Sequence, residues 1–327
     1  MEHFLALELA IQNLVSPPVL AFALGLLAVL LKSDLRLPEA IYQGLSIYLL
    51  LGIGIKGGVA LSQSSVAEIT LPLIGTLAIG VLVPVIAYLL LGGLTKLDGI
   101  NKGAVAAHYG STSLVTFTAA LVLVESSGYS IEGYVTTLLA VLEIPGIVVG
   151  LLLASRALGR SVNWGEAIRE VLTGRSILLL AGGLLLGFLT GGDGYARIEP
   201  FFGGLFTGVL TLFLLEMGIV AGRRLPDIKK AGLGLVVFGL GFPLLSGTLG
   251  VAIGHLTGMG VGGAAVLGVL SASASYIAAP AAVRLALPEA SPGIYLTASL
   301  GITFPFNLIF GIPLLLALSE VFEGIGF

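Results

Sequence analysis

Long apolar runs separated by short polar stretches repeat along the whole chain. A helix that crosses a bilayer needs about 20 mostly apolar residues. The pattern predicts ten such spans: 15–31, 40–61, 71–94, 103–124, 134–154, 177–189, 200–221, 231–256, 262–285 and 294–318. Between the fifth and sixth lies a polar connector, 155–175, carrying the only tryptophan, Trp164. Its mixed polarity predicts a short amphipathic segment on the membrane face. The expected class is therefore an all-α polytopic membrane protein, divided into 1–154, the connector 155–175, and 176–327.

Charge placement orients the spans. With ten of them, thirteen of the 15 basic residues fall in the odd-numbered loops, from Lys32 and Arg36 to Arg284. Only Arg197 lies on the other side, and Lys56 falls inside a span. The positive-inside rule puts the odd loops in the cytoplasm and both termini outside. The start, Met1-Glu2-His3-Phe4, lacks the basic region of a signal peptide and leads towards the first span.

The two halves resemble each other. Leu50–Gly58 aligns with Leu214–Gly222 at an offset of 164, and Leu142-Glu143-Ile144-Pro145-Gly146 with Ile302-Thr303-Phe304-Pro305-Phe306 at 160. Between these, Gly110-Ser111-Thr112-Ser113 aligns with Ala272-Ser273-Ala274-Ser275 at 162. Ordered matches at a nearly constant offset predict two five-span repeats. Five is odd, so the second copy is inverted, an architecture in which transporters hold substrate at the midplane.

Composition agrees and removes alternatives. The apolar set makes up 57% of the chain and charged residues 10%, with a mean hydropathy of +1.09. A net charge of -3 gives no reason to expect a nucleic-acid partner. The 48 glycines sit inside apolar runs, as close helix packing in lipid requires. There is no Gly-x-Ser-x-Gly elbow, His-Glu-x-x-His pair or phosphate loop. Asp34, Asp98, Asp193 and Asp227 all fall in expected loops, so no intramembrane aspartate pair exists. No enzyme and no cofactor are expected, and an ion gradient must supply the energy.

The fourth and ninth spans carry the candidate chemistry. Short hydroxyl side chains compete for backbone hydrogen bonds. The clusters at Ser111, Thr112 and Ser113 and at Ser271, Ser273 and Ser275 are thus plausible break points. A half-helix beginning there exposes free amides and a partial positive charge, which suits an anion without Lys or Arg. Neighbouring hydroxyls and freed carbonyls suit sodium. The competing reading is two continuous helices packed through small residues; the matched registers favour the breaks. Glu143 either helps bind a cation or is a buried carboxylate bonded to a neighbour. Asn307 either ligates sodium or makes a packing bond. His108 reads as a packed residue over a pH sensor, His255 as a residue of an outer loop without a role, and Lys56 and Glu216 as interfacial or subunit-contact residues.

The stretch His108-Tyr109-Gly110-Ser111-Thr112-Ser113-Leu114-Val115-Thr116-Phe117, with Ser271-Ala272-Ser273-Ala274-Ser275-Tyr276-Ile277-Ala278-Ala279-Pro280-Ala281-Ala282-Val283-Arg284 and Phe304-Pro305-Phe306-Asn307, resembles the sodium-dependent bicarbonate transporters of cyanobacteria and other bacteria. The resemblance implies ten helices as two inverted five-helix repeats, broken at helices 4 and 9. It implies sodium-coupled bicarbonate uptake across the bacterial inner membrane and a homotrimer. In some members it also implies a PII-like regulatory protein on the cytoplasmic face. Carried over, the bicarbonate site falls on Ser111, Thr112, Ser113, Ser271, Ser273 and Ser275. Sodium is expected at Gly110, Ser111, Ser113, Ser273, Glu143 and Asn307. The alternatives are a sodium symporter for another small anion or a carboxylate, and a membrane receptor or scaffold that binds a cytoplasmic partner through its basic loops.

Overall fold

The computed structural model describes residues 14–159 and 163–327, so the start of the chain, and with it the reading of Met1–Phe4, lies outside the described residues. Every regular element among the described residues is helical. Before the connector come α1 (Pro17–Leu30), α2 (Glu39–Gln63), α3 (Val66–Leu94), α4 (Gly99–Gly110), α5 (Leu114–Ser126) and α6 (Val135–Leu158). The connector forms α7 (Trp164–Thr173). Then come α8 (Arg175–Ala196), the one-turn α9 (Glu199–Phe202), α10 (Phe206–Ala231), α11 (Leu233–Leu256), α12 (Val261–Ala272) and α13 (Ala278–Ala286). The last run, α14 (Pro292–Gly324), is helical throughout but widens to π-helix at Thr297–Thr303 and Asn307–Gly311, on either side of Phe304-Pro305-Phe306.

Eight segments are long and apolar enough to cross a membrane, α4 and α5 together counting as one. Two more apolar helices, α1 and α12, are shorter than a full span. The expected first span begins late because Pro17 and Pro18 can only sit in a first turn. The ninth stops at Ala272, where the chain turns extended. Two expected loops are helical. Residues 222–231 continue α10 through Pro226, so Arg223, Arg224 and Asp227 lie on its end turns. Likewise α8 runs past a kink at Gly191 (φ 60°) and includes Asp193.

The helices sort into two groups. In one, α1 packs along α10 and α2 along α8. In the other, α3, α4, α6, α11, α12 and α14 pack together around the two breaks. The first group is held by glycine crossings. A Cβ on Gly25 would strike the Leu215 carbonyl, and one on Gly218 would strike the Phe22 carbonyl. In the other pair, a Cβ on Gly54 would lie 2.9 Å from the Cα of Gly183. Without hydrophobic drive between helices in lipid, such close backbone approach is what holds them.

One loop clips the second group on its far face. The carboxylate of Glu132 accepts the Gly260 amide at 2.6 Å, standing in for the side chain that this N-cap of α12 lacks. A negative group at a helix N-terminus is stabilising. We expect Glu132→Gln, which keeps the shape and removes the charge, to lower stability by about 1 kcal/mol. A thermal unfolding midpoint in detergent checks this, and an unchanged midpoint would refute the capping role. Beside it, the Tyr129 hydroxyl donates to Glu320 at 2.6 Å. Burial, and then that carboxylate, push the phenol up to about 12.

Candidate functional site

The site begins with how α4 is seated. Asp98 caps its first turn, accepting the Asn101 amide at 2.7 Å. Small residues then let it lie against α6: Gly103 meets Ala154, Ala107 meets Gly150, and Gly110 meets Gly146. At Ser111 the backbone becomes extended (φ -103°, ψ 173°). Ser113 restarts the chain as α5, its hydroxyl accepting from the Thr116 amide (3.2 Å) and the Thr116 hydroxyl (2.9 Å). The second break copies the first. Helix α12 ends at Ala272, Ser273 is extended (φ -82°, ψ 163°), and Ser275 Oγ accepts the Ala279 amide of the first turn of α13 at 3.2 Å.

The two breaks meet. The Ser113 amide donates to Ser273 Oγ at 2.9 Å, and the Ser275 amide donates to the His108 carbonyl at 2.7 Å. Ser273 Oγ passes its own proton to the Leu270 carbonyl at 2.8 Å. Two helix N-termini and two helix C-termini therefore converge. By the orientation of peptide dipoles, the first pair favours an anion and the second a cation. The amides of Leu114 and Val115 head α5, while Ser113 Oγ and Ser113 O already serve the next two.

A cavity of about 10 Å³ lies at the crossing, lined by Thr112, Ser113, Glu143, Ser176, Ser275 and Tyr276 among others. Glu143 reaches it from α6. Its side chain is buried (3% exposed), Oε2 has no hydrogen-bond partner, and no described basic residue pairs with it. The hydroxyls of Ser111 and Thr112 are likewise buried without partners. A buried carboxyl group and buried hydroxyls left unsatisfied are costly in a membrane and mark functional positions. Of these, Glu143 and Thr112 line the cavity together and offer oxygen donors of the hard type that suits an alkali cation.

Not every candidate converges. Ser271 is still helical, bonding the Leu267 carbonyl at 2.8 Å, and its hydroxyl packs on Gly250. Asn307 donates Nδ2 to the Ala272 carbonyl at 2.7 Å, so it stoppers the end of α12, while its Oδ1 lies against Gly311 without a partner. The Gly110 carbonyl lies against Gly146. His108 is packed, its ring stacked on Tyr295 at 4.3 Å and its Nδ1–H donating to Ala104. Lys56 forms an ion pair with Glu125 (3.0 Å), joining α2 to α5, and Glu216 accepts the Leu37 amide at 3.0 Å. Two lining residues carry no site signal in the sequence. Ser176 opens a span 33 residues after the nearest candidate, Glu143, and Tyr276 reads as an apolar neighbour of the second serine cluster.

A chain of apolar helices, two of them interrupted where polar groups are buried, defines a multi-pass membrane protein with an internal polar site. A family model for the Na+-dependent bicarbonate transporter superfamily matches residues 17–320, and the chain belongs to that family. Membership implies a membrane transporter, rather than an enzyme, with bicarbonate and sodium as its transported substrates. No curated protein matches the chain in sequence.

Proposed function

We propose that the chain is a symporter that couples sodium to the uptake of bicarbonate at the crossing of its two broken helices. The crossing itself carries this reading: Ser113 N–H on Ser273 Oγ and Ser275 N–H on His108 O bring opposed helix ends together without a basic side chain. Bicarbonate takes the amide ends, with the hydroxyls of Ser111, Thr112, Ser113, Ser273 and Ser275 around it and Ser271 one turn behind. Sodium takes the oxygen side, at Glu143, Ser111, Ser113 and Ser273, with Gly110 and Asn307 shaping the carbonyl ends. No resident cofactor is needed, since sodium is cargo and coupling ion together.

The same reading counts ten spans in two inverted repeats. Supporting it, the pairings α1 with α10 and α2 with α8 are images of each other under exchange of the halves. Gly54 and Gly218, which sit in those two contacts, also match in the sequence repeat. Both termini lie outside the bacterial inner membrane in this reading, and α7 lies on the cytoplasmic face. The exposed leucines and Phe188 of α8 face lipid or sister copies of a homotrimer. A PII-like regulator would meet the basic residues near α7 and the end of α10.

Labelled-bicarbonate uptake into proteoliposomes, with and without an inward sodium gradient, tests the reading; uptake indifferent to sodium would sink it. The crossing has its own test. Ser273→Ala removes the acceptor of a buried amide, and uptake at low bicarbonate should fall about tenfold or more, as an orphaned buried donor predicts. Wild-type uptake in that variant would remove the crossing from the mechanism.

A further inference from the structure

A second cavity, of about 270 Å³, lies between α2, α7, α8 and α13, on the face that carries the connector. Ser176, Ile277 and Ala278 line both it and the small cavity at the crossing, so the two spaces share a wall. Its polar lining consists of Tyr42, Ser46, Glu170, Arg175 and Ser176.

Three features of that lining suit an anion. Helix α8 starts here and runs for 22 residues, and its N-cap, Gly174, has no side chain to satisfy the first amides. Those amides, with the dipole behind them, are donors without a protein acceptor. Ser46 and Ser176 are each only 6% exposed, and neither hydroxyl has a hydrogen-bond partner among the described residues. Both hydroxyls line the cavity, from different helices, and are free there to donate to a ligand. Arg175 brings a full positive charge to the same wall, with no ion pair among the described residues. A guanidinium forks onto two oxygens of a planar oxyanion.

We propose that this cavity is a second oxyanion site, where bicarbonate leaving the crossing is held by Ser46, Ser176, the first amides of α8 and Arg175. The proposal rests on the transport reading above for the identity of the anion. Glu170 lines the same cavity with the opposite sign, so the anion is held weakly and released towards the connector face. The shared wall makes the path short: bicarbonate that turns past Ser176 exchanges the amides of α13 for those of α8.

The test is direct binding to the full-length protein in detergent, read as broadening of the carbon-13 signal of labelled bicarbonate, beside sodium-driven uptake in vesicles. In Ser273→Ala protein, binding should persist. Adding Ser46→Ala and Ser176→Ala should weaken it by about tenfold, the loss of hydrogen bonds to a charged ligand. Arg175→Gln, at an exposed position where folding is not in question, should weaken it in the same direction. Binding abolished by Ser273→Ala alone, or unchanged by both the serine pair and Arg175→Gln, would overturn the second site. Sodium-dependent uptake by the unaltered protein, kept alongside such a result, would leave the transport reading standing. Sodium-independent uptake with the binding pattern as expected would do the reverse.

Discussion

Glu143→Gln protein should reach the membrane folded and lose sodium-dependent uptake by about a hundredfold or more. The substitution is isosteric and removes only the charge. A carboxylate that merely fills space or accepts a packing bond would tolerate it. This one is buried at the crossing, with Oε2 unpartnered and no described Lys, Arg or His against it. Ionising it without a counter-charge would cost several kcal/mol, so a bound cation is what would hold it as a carboxylate. Thr112, whose hydroxyl is also unpartnered, lines the same cavity, and we propose it as an oxygen donor for sodium beside Glu143. A ligand that binds only the folded state stabilises it by about 2.7 kcal/mol at a hundred times its dissociation constant. Saturating sodium should therefore raise the unfolding midpoint of the wild type and leave that of Glu143→Gln unmoved. A variant with wild-type sodium dependence in both assays would exclude Glu143 as a ligand.

Gly146→Ala should be the most damaging single methyl in the chain's interior. A Cβ there would overlap the carbonyl oxygen of Gly110 and crowd its Cα. Backbone cannot yield as a flexible side chain does, so the end of α4 must move off α6. That end holds the His108 carbonyl against Ser275 and precedes Ser113. Overpacking usually costs 1–3 kcal/mol, and a clash with backbone puts this one at about 3 kcal/mol or more. Uptake should fall with stability, because the clash sits beside the site. Gly93→Ala, where an added Cβ meets nothing within 4 Å, is the matched control and should cost nothing. Equal unfolding midpoints for the two variants would show that the crossing tolerates the shift.

Much of this was legible from residue order. Apolar runs locate the long helices, because lipid admits no other way to satisfy the backbone. The hydroxyl clusters locate the breaks, since serines at a helix end bond the backbone themselves, as Ser113 and Ser275 do. What pattern cannot report is where a hydroxyl points. Ser271 falls in the repeat like its neighbours, yet it bonds one turn back within its own helix. Asn307 spends its Nδ2 on the Ala272 carbonyl and leaves Oδ1, the atom that would ligate sodium, without a partner. Ser176 joins the site only because α8 begins beside α13, a contact between residues about a hundred positions apart. The π-turns around Phe304-Pro305-Phe306 also leave no mark in hydropathy, being a change of winding with the same residues inside.

The glycine crossings have a consequence for how the chain is made. Both α1 and α2 find their glycine crossings, with α10 and α8, only in the second half. As the ribosome delivers the helices in order, the first two must wait in the bilayer, side by side with lipid, until more than a hundred further residues have been inserted. A nascent chain halted after α6 leaves the faces of Gly25 and Gly54 bare. Closure of these two crossings is therefore a late event in synthesis, and the quality-control machinery meets two bare glycine faces for most of that time.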